Sequence, residues 1–254
     1  ISSLVFNKKA YKNVISNGLV LDKEGQKMSK RLGNSINPFE TIEKYGPDAT
    51  RWYMISNANP WDNLKFDLHG ILEVQKKFFG TIYNIYSFFS LYANIDGFIP
   101  NNKEYNNKQK NELDDWILSE LNTLILKVNR YYEDYEPTKV CRSISEFVQE
   151  KLSNWYVRLN RRRFWKGEYG SDKNSAYQTL YDSLITITKI SAPIAPFYMD
   201  HLYRDLIESF PDQKNPESVH LTDFPSANEN KIDLTLQKRI NKARVITSLA
   251  LSLR

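Results

Sequence analysis

Residues 137–166 read PTKVCRSISEFVQEKLSNWYVRLNRRRFWK. Val140, Ile144, Phe147, Leu152, Trp155 and Leu159 recur at spacings of three to five, which predicts a helix with one apolar face. Its far end is cationic: Lys151, Arg158, Arg161, Arg162, Arg163 and Lys166 stand there with no acid among them. Arg158, Arg161, Arg162 and Trp165 fall at i, i+3, i+4 and i+7, one face, with Trp155 one turn and Lys151 two turns earlier. Arginine offers paired donors to phosphate and tryptophan stacks on an unpaired base, a combination suited to an RNA loop. Two alternatives stay open on the residues alone. The tryptophans can be core, and the arginines can be neutralised by acids such as Glu146 and Glu150.

The same periodicity extends to both sides. Ile71, Val74, Phe78, Ile82, Ile85 and Phe89 predict a helix from about His69 to Asn94, and Leu113, Ile117, Leu121, Leu124, Val128 and Tyr132 predict another that Pro137 ends. Tyr177, Leu180, Leu184, Ile187 and Ile190 mark a third, capped by Ser171 or Asp172 and interrupted by the prolines of SAPIAP, with Phe197 to Ser209 resuming it. The stretch ESVHLTDFP is expected to be extended, and a terminal helix starts near Asp233. Four or five such helices with short joints make a mainly α fold built on a helical bundle. Asparagine-rich residues 96–111 break the pattern and supply the main boundary.

Composition narrows the class. Glycine and proline make 19 of 254 residues, about 7% against a usual ~12%, which disfavours an all-β chain of many tight turns. One cysteine excludes an internal disulfide framework, and His69, His201 and His220 give no paired metal spacing, so no metal site is expected. Cys141, on the face of Ile144 and Val148, reads as a core residue. No apolar run approaches the ~18 to 20 residues of a membrane helix and no signal peptide opens the chain. A cytoplasmic protein without a membrane partner is expected, and nothing calls for more than a monomer. Beginning at Ile1 and stopping at Arg254 inside a predicted helix, it reads as a piece of a longer polypeptide.

The formal charge is +5, but residues 151–166 hold +6, residues 23–31 hold +3 and residues 231–254 hold +5, which leaves −9 on everything else. Separate basic patches on an acidic body are the footprint of a polyanion touched at several places. In the third patch Lys238, Arg239, Lys242 and Arg244 form a second candidate nucleic-acid face.

Near the start, VISNGLVLD predicts a strand or hairpin edge around Gly18 to Leu21, leading into the polar loop KEGQKMSKRLGNSINP. Asn37 is a candidate cap for the helix PFETIEKYG. Within the loop, Lys27, Lys30 and Arg31 can reach around a triphosphate as mobile charges and neutralise a departing pyrophosphate. Neither GxxxxGK[ST] nor GxGxxG is present.

With GLVLD before it, KMSKRLGN resembles the second signature, KMSKS, of class I aminoacyl-tRNA synthetases, with Arg31 at the fifth position. NPFETIEKYGPDATRWYMIS follows in the order of the isoleucine, valine and leucine subgroup. NPWDNLKFD, SNWYVRLNRRRFWKG, SAPIAPFYMDHLYRDL and SVHLTDFP resemble its isoleucine-specific branch, so the likeness runs along nearly the whole chain. It implies the end of a Rossmann-like catalytic domain over 1–37, stem-contact and connecting helices over 38–104, and a helical anticodon-binding domain over 105–254. It implies ATP, with Mg2+, as the nucleotide and isoleucine tRNA as the partner, with isoleucine activated in the full-length enzyme. Lys27 and Lys30 are then the catalytic lysines, and Met28, Ser29 and Arg31 complete the ATP-binding loop, Arg31 either touching phosphate or facing solvent. Lys151, Trp155, Arg158, Arg161, Arg162, Trp165, Lys238, Arg239 and Lys242 become the tRNA-binding set. The family's HIGH signature, amino-acid pocket and editing domain are missing, so the chain alone is expected to make no adenylate.

Overall fold

The computed structural model describes residues 2–102, 111–208 and 215–253. The boundary expected at 104/105, the loop start at Pro211, and Arg254 lie outside them. A short helix α1 (Ser2–Phe6) precedes a two-residue strand β1 (Val20–Leu21), followed by α2 (Pro38–Tyr45) and α3 (Pro47–Asn57). Asn37 caps α2 by accepting from the Phe39 N–H at 3.0 Å, as its position before Pro38 suggested. The hairpin expectation survives as a single antiparallel bridge between Leu21 and Lys27, but the strand's main pairing is different. β1 runs parallel to β2 (Leu64–Lys65), Val20 opposite Leu64, so its partner comes from the segment after α3. A parallel pair needs a crossover, and α2 and α3 supply it.

Residues 68–96 form one helical rod, α4 (Leu68–Val74) and α5 (Gly80–Asp96) joined by a wider-wound turn at Gln75–Phe79. Ile71, Phe78, Ile82, Ile85 and Phe89 are all buried along it. α6 (Glu112–Glu133) opens with a capping box between Asn111 and Asp114. Residues 137–165 make a second rod, α7 (Pro137–Glu146) and α8 (Arg158–Trp165) flanking wider-wound turns over Phe147–Val157. α9 (Ser171–Ser191) is buried almost all round, as the central helix of a bundle must be. It is followed by α10 (Pro196–Glu208) and α11 (Leu234–Ser252), the latter capped by Asp233. ESVHLTDFP is not extended: Val219–Leu221 form a 3-10 turn, because Asp200 at the side of α10 accepts from Ser218 Oγ and the Val219 N–H and folds the segment back.

The wider turns correct one reading. With more than 3.6 residues per turn the inward stripe of the second rod shifts phase, so Leu152, Tyr156, Asn160 and Phe164 point in, while Leu159 is 51% exposed and Trp155 only half-buried. Ser171 does not cap α9 either; the cap position is Gly170, with no side-chain bond. The core runs as a chain of aromatic contacts. Trp52 stacks on Phe78 at 4.0 Å, and Phe79 meets Tyr198 edge-on at 5.0 Å. Phe88, Phe164 and Tyr177 continue it at about the same spacing.

Candidate phosphate loop and nucleic-acid interface

The loop after β1 is built around Asp22 and Asn34. Asp22 Oδ1 accepts from the Gln26 N–H at 2.7 Å, and Asp22 Oδ2 accepts from Asn34 Nδ2 at 2.8 Å. Asn34 also donates to the Lys27 carbonyl and accepts from the Ser29 N–H. Hydrogen bonds from the Gln26 N–H and Asn34 hold the Asp22 carboxyl below its ordinary pKa. Ser29 caps a 3-10 turn over Lys30–Leu32, its Oγ accepting from the Arg31 N–H at 3.2 Å. Gly33, at φ +67°, ends that turn in the left-handed region, where a side chain would be strained.

This frame sorts the motif's side chains. Met28 is turned inward over an apolar cleft of about 490 Å3 that Val20, Ile36, Met54 and Phe66 also line. Lys27, Lys30 and Arg31 are exposed and form no ion pair among the described residues. Asn34 and Asp22 were not singled out by the sequence reading; the only signal was their position at the two ends of the motif.

The basic end of the second rod is less uniform than its sequence. Arg163 faces inward, 13% exposed, and grips Asp114 through Nη1 at 2.8 Å and Nη2 at 2.9 Å, with Asp172 at 2.7 Å. Asp114 is fully buried and also accepts from Tyr156 and Ser175. Burial opposes the Arg163 charge, but its bonds to Asp114 and Asp172 more than offset this and raise its pKa. Lys151 is committed as well, to Glu120 at 2.7 Å. Trp155 lies half-buried beneath the Arg244 guanidinium, 5.9 Å from the ring, so neither Lys151 nor Trp155 stands on the open face with the arginines.

Arg158, Arg161 and Arg162 remain exposed and unpaired among the described residues, and Trp165 beside them is 55% exposed. They do not pair with Glu146 or Glu150, and Trp165 is not core. On α11, Arg239 is paired with Glu112 and Arg244 approaches Glu150 at 3.8 Å, while Lys238 and Lys242 are exposed without an ion pair among the described residues. Burial raises the Cys141 thiol well above its usual pKa, which fits an inert core residue. No three side chains of metal-binding type come together among the described residues, and no helix there is long and apolar enough to cross a membrane.

Residues 114–254 match the model of the anticodon-binding domain of tRNA ligase. The chain belongs to that family. Residues 1–67 match the model of class I tRNA synthetases for I, L, M and V, in line with the resemblance read from the signature loop. Along its whole length the chain is 60% identical to an isoleucine–tRNA ligase of Cytophaga hutchinsonii and 58% to one of Bacteroides fragilis. It spans 23% and 22% of the length of those relatives. Two solved structures share the fold at 19% identity. The LeuRS of Agrobacterium radiobacter K84, in a ternary complex with tRNA and LeuAMS, has a TM-score of 0.64 over 85% of this chain and 24% of its own. The methionyl-tRNA synthetase of Mycobacterium tuberculosis, in complex with methionyl-adenylate, has 0.59 over 81% and 43%. Within the family, the anticodon-binding match covers the bundle and its arginine face, and the synthetase match covers the whole Asp22–Asn34 loop.

Proposed function

We propose that this chain is the carboxy-side part of an isoleucine–tRNA ligase, with the loop serving ATP-dependent activation of isoleucine and the bundle binding isoleucine tRNA. The observation that carries the reading is the pairing, in one chain, of a self-braced loop whose three cations have no ion-pair partner among the described residues with a helix end whose three outward arginines have none there either. No acid among the described residues neutralises either patch, which leaves both available to phosphate. The relatives of the whole chain are named isoleucine–tRNA ligases, which supports isoleucine over valine or leucine.

In this reading, residues 1–37 end the catalytic domain, residues 38–104 form the stem-contact region and residues 105–254 the anticodon-binding domain. The isoleucine carboxylate attacks the α-phosphorus of ATP, and pyrophosphate leaves with the electrons of the broken P–O bond. Lys27 and Lys30 neutralise the charge that gathers there, and Arg31 adds a third cation from the same turn. Met28 fastens the motif to the cleft beneath it and Ser29 holds the turn. Mg2+ would arrive as the counterion of the ATP phosphates. Arg158, Arg161, Arg162 and Trp165 form the principal tRNA face, with Lys238 and Lys242 as its extension. Lys151 and Trp155 support that surface from beneath, and Arg239, exposed but paired with Glu112, borders it.

The test has two arms. In the complete ligase, isoleucine should drive ATP–pyrophosphate exchange, whereas residues 1–254 alone should not. In filter binding, the chain should retain isoleucine tRNA selectively. Equal retention of all tRNAs would make it a general tRNA-binding module and overturn the assignment.

A further inference from the structure

α3 is fastened to the bundle at both ends, by side chains far apart in sequence. At its C-terminal end, Arg142 of α7 donates from Nε to the Ser56 carbonyl at 2.9 Å and from Nη2 to the Asn57 carbonyl at 3.1 Å. Thr138 of the same helix donates to the Ile55 and Ala58 carbonyls at 2.8 and 2.9 Å. These are the orphan carbonyls every helix leaves at that end, where the backbone dipole favours a cation. Arg51 of α3 repeats the device one helix further on, donating to the Ile194 carbonyl at 2.8 Å and the Pro193 carbonyl at 3.3 Å just past α9. Asp48, one turn earlier, accepts from the Tyr198 N–H at 2.6 Å, at the start of α10. On its other side α3 carries the sheet. The Tyr53 hydroxyl donates to the Lys65 carbonyl of β2 and accepts from the Asp67 N–H, and β2 pairs with β1, which enters the signature loop.

A continuous mechanical line results. Arg142 and Thr138 sit at one end of the rod 137–165, and Arg158, Arg161 and Arg162 at the other, roughly 20 Å away. α3 stands between that rod and the strand β1, which leads into the loop that bears Lys27 and Lys30. Arg142 is exposed, so its two bonds compete with water and add little to stability. What they add is direction, because a planar guanidinium on two carbonyls fixes distance and angle together, which a lysine cannot do.

Resting on the ligase reading above, we propose that Arg142 and Arg51 are positioning residues that set the tRNA-binding rod relative to the signature loop, and so serve the tRNA-dependent transfer step and not adenylate formation.

The experiment uses the complete ligase carrying Arg142→Met, Arg142→Lys or Arg51→Met, assayed for isoleucine-dependent pyrophosphate exchange, for kcat of tRNA charging and for tRNA affinity. Exchange and tRNA Kd should stay within about twofold of the unsubstituted enzyme, while charging kcat falls about tenfold to a hundredfold, as misplacement of a bound reactant does. Arg142→Lys should recover only part of the loss, since it restores charge without the fork. Because Arg142 is exposed, its variants test the idea even if Arg51→Met does not fold. Charging within about twofold of normal in both methionine variants would overturn it, and so would exchange falling in parallel with charging, or a loss confined to tRNA Kd. An unsubstituted enzyme without isoleucine-dependent exchange would remove the ligase reading itself and the inference with it.

Discussion

At the signature loop, three cations stand within five residues, and the nearby Asp22 is turned onto the loop's own backbone and Asn34, leaving Lys27, Lys30 and Arg31 without a counter-ion among the described residues. At the basic end of the second rod, six cations stand within sixteen residues, and two of them, Lys151 and Arg163, are held by Glu120 and the buried Asp114. The difference comes from what lies underneath. A loop over an apolar cleft can direct its cations only outward, whereas a helix packed on two neighbours must turn every third or fourth residue inward, where a charge survives only if paired. A run of basic residues is therefore not one site, and the difference between free and paired charge is where it can be tested.

Arg163→Met should show the largest effect. It leaves the Asp114 carboxylate buried without its guanidinium, and the cost should be about 3–5 kcal/mol in urea unfolding of the chain. The neighbouring Arg162→Ala, on the open face, should change stability by less than about 0.5 kcal/mol. Similar unfolding midpoints for the two would erase the distinction. Next comes Lys30→Ala in the complete ligase. Exchange kcat should fall about a hundredfold or more with the KM for ATP little changed, the pattern of a charge that acts on the leaving pyrophosphate. A rise in KM alone would make Lys30 a ground-state anchor. Smaller again is Arg161→Ala with Arg162→Ala. tRNA affinity should weaken and the slope of log K against log salt should become shallower by about one per arginine, whereas Lys151→Ala should leave that slope unchanged.

The bundle was legible because its evidence is periodic: Ile117 to Val128 and Tyr177 to Ile190 each follow the helical repeat and are buried, and Ile71 to Phe89 stays buried, apart from half-buried Val74, even across the short wider-wound turn at Gln75–Phe79. Where winding changes, the period misleads. Leu159 and Trp155 fit a 3.6-residue stripe and yet leave the core, since the wider turns over Phe147–Val157 move Tyr156 and Asn160 into their place. β2 was invisible for a different reason. Two residues of strand, Leu64 and Lys65, are too few for alternation to register, and their pairing with Val20 and Leu21 depends on a crossover through α2 and α3. Among the charges, sequence gave the sign of each patch but not its pairing. Asp114 lies 49 residues from Arg163, and only the packing of α6 and α8 against α9 brings them together. Arg51 and Arg142 escaped notice because Arg51 is the single cation of α3 and Arg142 shares α7 only with Lys139, so neither stands in a basic cluster that would flag it.

The smallest effect separates the loop's frame from its cations. Asn34→Ala removes the three bonds by which Asn34 joins Asp22, Lys27 and Ser29, yet touches no cation. Because these bonds are at most partly buried, global stability should fall by no more than about 1 kcal/mol, while hydrogen exchange at the Ser29 amide should lose its protection. The same frame carries a pH signature. The folded-state pKa of Asp22 is depressed below its unfolded value, so its contribution to loop order is complete above the ordinary carboxylate range and disappears as pH falls through the depressed value. The amides of Gln26 and Ser29 should therefore remain protected on acidification past the point where exposed carboxylates protonate, and lose protection only below it. In Asn34→Ala the loss at the Gln26 amide, whose acceptor is Asp22 itself, should begin at higher pH, because the carboxylate has given up one of the donors that held its pKa down. An unshifted midpoint would place the brace in the Gln26 N–H alone and reduce Asn34 to a packing residue of the loop.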